Sequence, residues 1–192
     1  MHFKKALPIW PEGHSKELNS QATFRVTVSD LTGTSLYITA ATYFQLFVNG
    51  KFVHYGPART AKYHARVDVL DLTKYNKEDG NEIVIHVAGY YNNCLSLVRM
   101  PSFLRAELRD ANDNVIVATG DHEIKAFIRN TRVQKVMRYS RQRNFSEIYD
   151  FGRVDFPCNV EAVNYATTLL PRRSPMPLYE EKKIDEASEY GK

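Results

Sequence analysis

An Asn-Gly pair at positions 49–50, set between two short apolar runs, constrains the fold of this chain more than any other feature. Before the pair, Phe44, Leu46 and Val48 alternate with other side chains, which is the period of a β-strand. Asn and Gly both accept the positive φ angles that a two-residue hairpin turn requires. The region 43–72 is therefore predicted to contain a hairpin, a Gly-Pro stop and a return strand.

Short alternating runs of the same kind recur along the first 127 residues. Roughly nine of them can be distinguished, with turn formers between them and no long amphipathic helix. The chain has 192 residues, of which 43% are hydrophobic, and this suffices for one sizeable core. Residues 1–170 are therefore predicted to form one all-β domain, an antiparallel β-sandwich or jelly roll. The proline-broken residues 171–192 are predicted to be a linker or tail.

Two segments of the chain leave alternatives open. Trp10, the only tryptophan, is expected to pack the incoming chain onto the sandwich, and the alternative is a stacking platform for a ligand. From Arg129 to Arg143 a basic residue recurs about every third position, which fits either a helix or an irregular strand pair. The following residues 145–151 have strand-like character. We interpret the basic run as a solvated or docking face, because the net charge is only +4.

Several functional classes receive no support from the sequence. The histidines are scattered without a short-spaced pair, so neither a metal site nor a cofactor is predicted. A nucleophile elbow and a glycine-rich phosphate loop are both missing, and no catalytic residue is assigned. The basic run is not taken as a nucleic-acid site. With no apolar stretch of 18 residues and no secretory leader, we expect no membrane segment and a cytoplasmic location.

Carbohydrate binding is the ligand chemistry that the loops favour. Sugars stack their C–H faces on aromatic rings, and their hydroxyl groups require fixed donors and acceptors. A polar aromatic loop between two predicted strands supplies both kinds of group. The candidate binding residues are Tyr90, Tyr91, Asn92 and Asn93 in that loop, with Arg59, Tyr63 and His64 next. The alternative is that these residues are structural.

The order of motifs around the hairpin resembles the N-terminal β-sandwich region of bacterial α-L-rhamnosidase-type glycoside hydrolases. Individual motifs also occur in other galactose-binding-like sandwiches, and their order is more specific than any one of them. The motifs are Ile9-Trp10-Pro11, Val48-Asn49-Gly50, Gly56-Pro57-Ala58-Arg59, Tyr63, Asp71-Leu72-Thr73, the NEIVIHV strand 81–87, RNFSEIYD at 143–150 and LLPRRSPMPLYEEK at 169–182.

The resemblance implies a non-catalytic accessory domain. Members of that family carry an (α/α)₆ catalytic barrel downstream, and no residue here matches its carboxylates. The chain would then support a catalytic (α/α)₆ domain of the same parent protein, and it could present rhamnose-containing glycans to that domain. A different class of function stays open, in which the chain is purely a structural docking module and binds no sugar.

Overall fold

The computed structural model describes residues 2–179, which contain strands and one short 3₁₀ turn at Thr73–Tyr75. The last part of the predicted tail, residues 180–192, lies outside the described residues. No helix between residues 2 and 179 is long and apolar enough to cross a membrane. The strands are β1 (Ile9–Pro11), β2 (Ser20–Val28), β3 (Ser35–Ala41), β4 (Tyr43–Val48), β5 (Lys51–Gly56), β6 (His64–Asp71), β7 (Asn81–Gly89), β8 (Phe103–Arg109), β9 (Val115–Ala118), β10 (Lys125–Ile128), β11 (Phe156–Cys158), β12 (Val160–Ala162) and β13 (Thr168–Pro171).

The strands form two sheets. The first has the order β12-β1-β8-β3-β6-β13, with β9 also paired to β8, and the second has the order β11-β10-β2-β7-β4-β5. All neighbours are antiparallel except β13 and β6, which run parallel. The all-β sandwich predicted from the sequence is therefore confirmed. Its assignment as a jelly roll stays a prediction.

The core between the sheets consists of the side chains that the alternation placed inward. Phe44, Leu46 and Val48 of β4 are fully buried. The alternating residues of β2, β3, β7 and β8 join them in one apolar cluster. Trp10 is also fully buried, 6.1 Å from the ring of Phe24, so the packing role expected for it is confirmed. Burial of this kind is the main favourable contribution to folding.

The predicted hairpin is confirmed and is tied to a neighbouring loop. Asn49 and Gly50 have φ angles of 52° and 76°, as a two-residue turn with two left-handed positions requires. The Asn49 amide donates to the Tyr75 carbonyl at 2.8 Å and accepts the backbone N–H of Glu82 at 2.9 Å. These bonds fix the register of β4 against β7 as well as against β5.

The outer face of the first sheet is covered by the N-terminal segment. Phe3 and Ala6 pack on Val67 and Ala118. Beneath them, the Glu107 carboxylate accepts the backbone N–H groups of residues 4, 5 and 6 at 2.9 to 3.1 Å. A buried carboxylate thereby holds the start of the chain in place.

Residues 129–153 do not form the predicted regular elements. The helix alternative for the basic run is wrong, and so is the strand predicted over residues 145–151. Instead, two isolated antiparallel bridges pair Arg132 with Tyr149 and Arg138 with Phe145, so the irregular strand pair was the better alternative. The Arg138 guanidinium donates to three backbone carbonyls, and such bonds replace a regular ladder.

The chain stays attached to the sandwich beyond residue 170. Asp68, which lies between the sheets, accepts from Arg172 Nε at 2.6 Å and from His54 Nε2 at 3.0 Å. Burial alone would raise the pKa of Asp68, but the bonds from His54 and Arg172 outweigh it and lower the pKa. Further on, the Tyr179 hydroxyl contacts the backbone of Tyr55. The division of the chain after residue 170 stays a prediction.

Candidate functional site

The outer face of the second sheet carries aromatic and polar side chains from three adjacent strands. Because Phe44 and Leu46 point inward on β4, Gln45 points outward. The register sets Gln45 opposite Tyr55 of β5 on one side and opposite His86 of β7 on the other. Aromatic residues at outward positions are unusual for a solvated sheet face, where polar side chains are expected.

The rings on this face lie against one another around a small depression. Tyr43 stacks on Tyr55 with 5.3 Å between ring centroids and 29° between planes. Tyr90 meets Tyr43 edge-on at 6.3 Å. Tyr55 remains 40% exposed. The depression, called here the aromatic hollow, has a volume of about 80 Å³ and is lined by Tyr43, Phe44, Gln45, Tyr55, His86, Ala88, Tyr90, Arg129, Arg132, Glu147 and Tyr149.

The irregular segment 129–153 forms the other wall of the aromatic hollow. Arg132 lies over the Tyr149 ring, with 5.4 Å between the guanidinium carbon and the ring centroid. Its Nη1 atom is 3.4 Å from a Glu147 carboxylate oxygen. Arg132 is only 4% exposed, yet its Nε and Nη2 atoms make no hydrogen bond of good geometry among the described residues, although the Tyr90 hydroxyl lies near enough for the guanidinium to oppose the rise in the pKa of Tyr90. Buried donors of this kind normally have a partner.

The electrostatic environment keeps two groups that line the hollow, His86 and Tyr90, uncharged. Burial, together with the nearby charges of Arg129 and Arg25, lowers the pKa of His86 to about 4. The imidazole is therefore neutral at pH 7, and its Nδ1 atom lies 2.8 Å from the Thr23 hydroxyl. Burial raises the pKa of Tyr90, so the phenol keeps its proton. Neutral imidazole, phenol and amide groups can each exchange hydrogen bonds with a hydroxyl group.

The structure separates the residues of the predicted loop. Tyr90 is 6% exposed and lines the aromatic hollow. Tyr91 is half-buried under Arg99, 4.2 Å from ring centroid to guanidinium carbon, and the Asn93 side chain accepts the Arg99 backbone N–H. Asn92 is buried, and neither polar atom of its side chain has a partner among the described residues. The two tyrosines therefore do not form one exposed platform.

The other three predicted residues do not line the aromatic hollow. Arg59 donates to the Leu95 carbonyl at 2.8 Å. Tyr63 is 51% exposed and stacks on Tyr165 at 5.6 Å. His64 bonds to the Lys62 carbonyl. Within residues 2–179, no hydrogen bond or ring contact joins Tyr63 or His64 to the 90–93 loop, so the structure does not assemble the predicted set as one site.

Sequence reasoning did not assign Tyr43, Gln45, Tyr55 and His86 to a site. Their signal was present, because each occupies an outward position of an alternating strand. The contribution of Arg132 could not be found in this way, since an irregular chain path brings it over the sheet.

Two of the described carboxylates are engaged in contacts within the fold, and the described metal-ligating groups form no cluster. In residues 2–179, no group of three or more His, Cys, Asp or Glu side chains lies close enough to hold a metal ion. Asp68 is engaged by His54 and Arg172, and Asp71 caps the backbone N–H of Thr73. The predicted absence of a metal, a cofactor and a catalytic residue stays a prediction.

Comparison with known proteins gives matches in structure only. No protein-family model and no curated protein sequence matches the chain significantly. The GH78 family rhamnosidase of Bacillus sp. GL1 shares the fold with a TM-score of 0.79 at 22% identity, over 92% of this chain and 20% of that one. The α-L-rhamnosidase of Aspergillus terreus follows with a TM-score of 0.55 at 16% identity, over 85% and 22%.

A lectin from Pleurotus ostreatus, solved in complex with GalNAc, is also similar. Its TM-score is 0.50 at 13% identity, over 91% of this chain and 51% of the lectin. The chain spans about a fifth of the length of the two rhamnosidase structures. At these identities the similarity establishes the fold, and the fold implied by the sequence resemblance is confirmed.

Proposed function

We propose that this chain is a non-catalytic, carbohydrate-binding β-sandwich domain of an α-L-rhamnosidase-like glycoside hydrolase. The observation that carries the proposal is the outward display of stacked tyrosines beside Gln45 and His86 on one sheet face. Aromatic faces bind the C–H side of a sugar ring, and adjacent neutral polar groups bind its hydroxyls. The names of the structural neighbours, rhamnosidases and a lectin, support the same class of ligand.

The geometry suggests how binding would proceed. Tyr55 is 40% exposed on this face, so a sugar would stack on its ring. Gln45 lies beside it and would exchange hydrogen bonds with ring hydroxyls. The hollow itself is too small to enclose a sugar, because enclosing pockets have volumes of roughly 300–1,000 Å³. The proposed contact is therefore one of a sugar lying across the sheet face.

In the parent protein, the domain would support a catalytic (α/α)₆ domain and hold rhamnose-containing glycans near it. The chain would lead toward that domain through the segment that follows Pro171. Its own residues would contribute binding and orientation, and the reaction would take place elsewhere.

Titration of the purified chain with L-rhamnose and rhamnose-containing oligosaccharides tests the proposal. We expect saturable shifts of backbone amide NMR signals on β4, β5 and β7. Tyr55→Ala should weaken binding roughly threefold to tenfold, the range expected for one ring contact. Tyr139→Ala is the matched control, because Tyr139 is an exposed tyrosine outside the hollow.

The same titration tests the residues predicted from the sequence. If Tyr63→Ala weakens binding and Tyr55→Ala does not, the sugar binds near Tyr165 and the assignment to the second sheet is wrong. No saturable shift with any of these sugars up to millimolar concentration would contradict carbohydrate binding altogether.

One observation favours the docking alternative. Large apolar side chains are exposed in the irregular segment and directly after it, with Met137 and Phe151 each 87% exposed and Val154 76% exposed. Contiguous exposed apolar surface commonly marks a protein interface. On this alternative the segment contacts another domain of the parent protein, and the titration detects no sugar.

A further inference from the structure

A second cavity adjoins the aromatic hollow and shares Arg129 and Arg132 with it as a common wall. Its volume is about 490 Å³, within the range of small-molecule sites. Ile128, Val133 and Phe156 supply apolar surface to it. We call it the arginine cavity, and its polar lining consists of His14, Glu17, Ser20, Gln21, Arg129, Asn130, Arg132, Gln134, Lys135 and Arg153.

The charges around the arginine cavity are unbalanced. Four permanent cations line it, and two of them have a carboxylate partner outside the lining: Arg153 contacts Asp150 at 2.9 Å, and Arg132 has the longer contact with Glu147 at 3.4 Å. The one carboxylate of the lining, Glu17, is occupied by His14 at 2.8 Å and by the Gln134 amide at 3.1 Å. The cavity therefore has an excess of positive charge, which favours an anion.

The donors on the shared wall lack acceptors. Arg132 is 96% buried, with Nε and Nη2 unpaired among the described residues, and its contact with Glu147 is a long one at 3.4 Å. The Arg129 Nε atom is likewise buried and unpaired. An unpaired buried donor is costly, and more so when it is charged. The edge of a planar guanidinium that carries Nε and one Nη atom matches the two oxygens of a carboxylate, and in Arg132 Nε and Nη2 are the unpaired atoms among the described residues.

We propose that the arginine cavity binds the carboxylate of an acidic sugar, a uronate residue. The inference rests on the proposed carbohydrate binding and specifies its substrate class. The Arg129 and Arg132 guanidinium groups pair with the carboxylate, and Phe156 provides an apolar ring for the sugar. The adjoining aromatic hollow then contacts the neighbouring sugar residue of the same oligosaccharide.

Calorimetry at low ionic strength with D-glucuronate and D-glucose tests the inference. We expect saturable binding of the uronate, at least about tenfold tighter than that of the neutral sugar, because hydrogen bonds to charged groups contribute most to affinity.

Three variants locate the site. Arg132→Gln should weaken uronate binding by about tenfold or more. Lys135→Gln, an exposed change in the cavity lining that the fold should tolerate, should weaken uronate binding about twofold to threefold. Arg141→Gln removes an exposed cation outside the lining and should leave binding unchanged.

Other outcomes separate the two proposals. Equal weakening by Arg132→Gln, Lys135→Gln and Arg141→Gln would mean unspecific charge attraction and would overturn the site. Equal competition by inorganic phosphate would overturn its assignment to a sugar. If neutral rhamnose oligosaccharides bind and glucuronate does not, the proposed function stands and the uronate site is wrong. Urea unfolding of each variant verifies that a loss of binding is not a loss of folding.

Discussion

The two outer faces of the sandwich each bury an ionic side chain, and the two are satisfied very differently. Under the N-terminal segment, Glu107 accepts three backbone N–H groups, and the Arg109 guanidinium donates through Nε, Nη1 and Nη2 to Glu107, Asp113 and the His2 carbonyl. Under the irregular segment 129–153, Arg132 has one long contact with Glu147 and two unpaired nitrogen atoms. Among residues 2–179, one network is complete and the other lacks an acceptor.

On the binding proposal made above, the two arrangements have separate roles. Burying a charge is costly unless it is paired and fully hydrogen-bonded, so a complete network can hold a fold together. Burial raises the pKa of Glu107, but the backbone donors and Arg109 outweigh it and keep the carboxylate ionised. An incomplete network stabilises the fold less and retains capacity for a ligand. The free energies of unfolding of variants that lack each charge measure this difference.

The largest effect is expected for Glu107→Gln. The variant leaves Arg109 buried without its carboxylate and sets an amide against three backbone donors. Breaking a buried ion pair in this way should lower the free energy of unfolding by about 3–5 kcal/mol, measured by urea denaturation. Glu123→Gln is the control, because the Glu123 side chain is 52% exposed. A loss as small as that of the control would mean that the first face is held by apolar contacts alone.

His86 should make the second face sensitive to pH. Its pKa of about 4 in the folded chain lies below the ordinary 6.5, so the unfolded chain binds the proton more readily between these values. Stability should therefore fall as the pH is lowered, by roughly 2 kcal/mol between pH 7 and pH 5. Urea unfolding at both pH values checks this. His86→Gln should abolish that part of the loss and His122→Gln, an exposed change, should not. An unchanged pH dependence in His86→Gln would contradict the burial of this imidazole.

A smaller effect is expected at the turn that aligns Tyr43 and Gln45 with Tyr55. Gly50 has a φ of 76°, and a Cβ there would meet no atom within 4 Å, so the cost of a side chain is one of backbone strain. Gly50→Val should lower the free energy of unfolding by about 1–2 kcal/mol, whereas Gly50→Asn should be nearly neutral because Asn tolerates the left-handed region. Equal thermal stability of the valine variant would count against the strained turn.

The turn also shows which parts of the molecule could be predicted from sequence. Hairpin and core follow from local chemistry, because Asn-Gly fixes the turn and Phe44, Leu46 and Val48 fix the buried face. The candidate site depends on longer-range placement. Tyr90, which was predicted from its loop, lines the hollow, whereas Tyr91 packs under Arg99 and Tyr63 stacks on Tyr165. Arg132 reaches its position through an irregular path that no periodic pattern encodes.

The smallest effect on stability is expected for Arg132→Met, and it is the most direct test of the comparison. The change removes a buried charge with two unpaired donors and replaces it with an apolar side chain of similar length. Glu147, the one carboxylate that contacts it within the described residues, is 60% exposed and returns to water. Replacing a poorly satisfied buried charge in this way is often neutral, so the free energy of unfolding should change by less than about 1 kcal/mol.

Arg109→Met is the matched change on the first face and should lower the free energy of unfolding by about 3–5 kcal/mol, because Glu107 is left buried without its partner. If the two variants lose equal stability in urea unfolding, Arg132 serves the fold as Arg109 does, and the second face has no spare binding capacity.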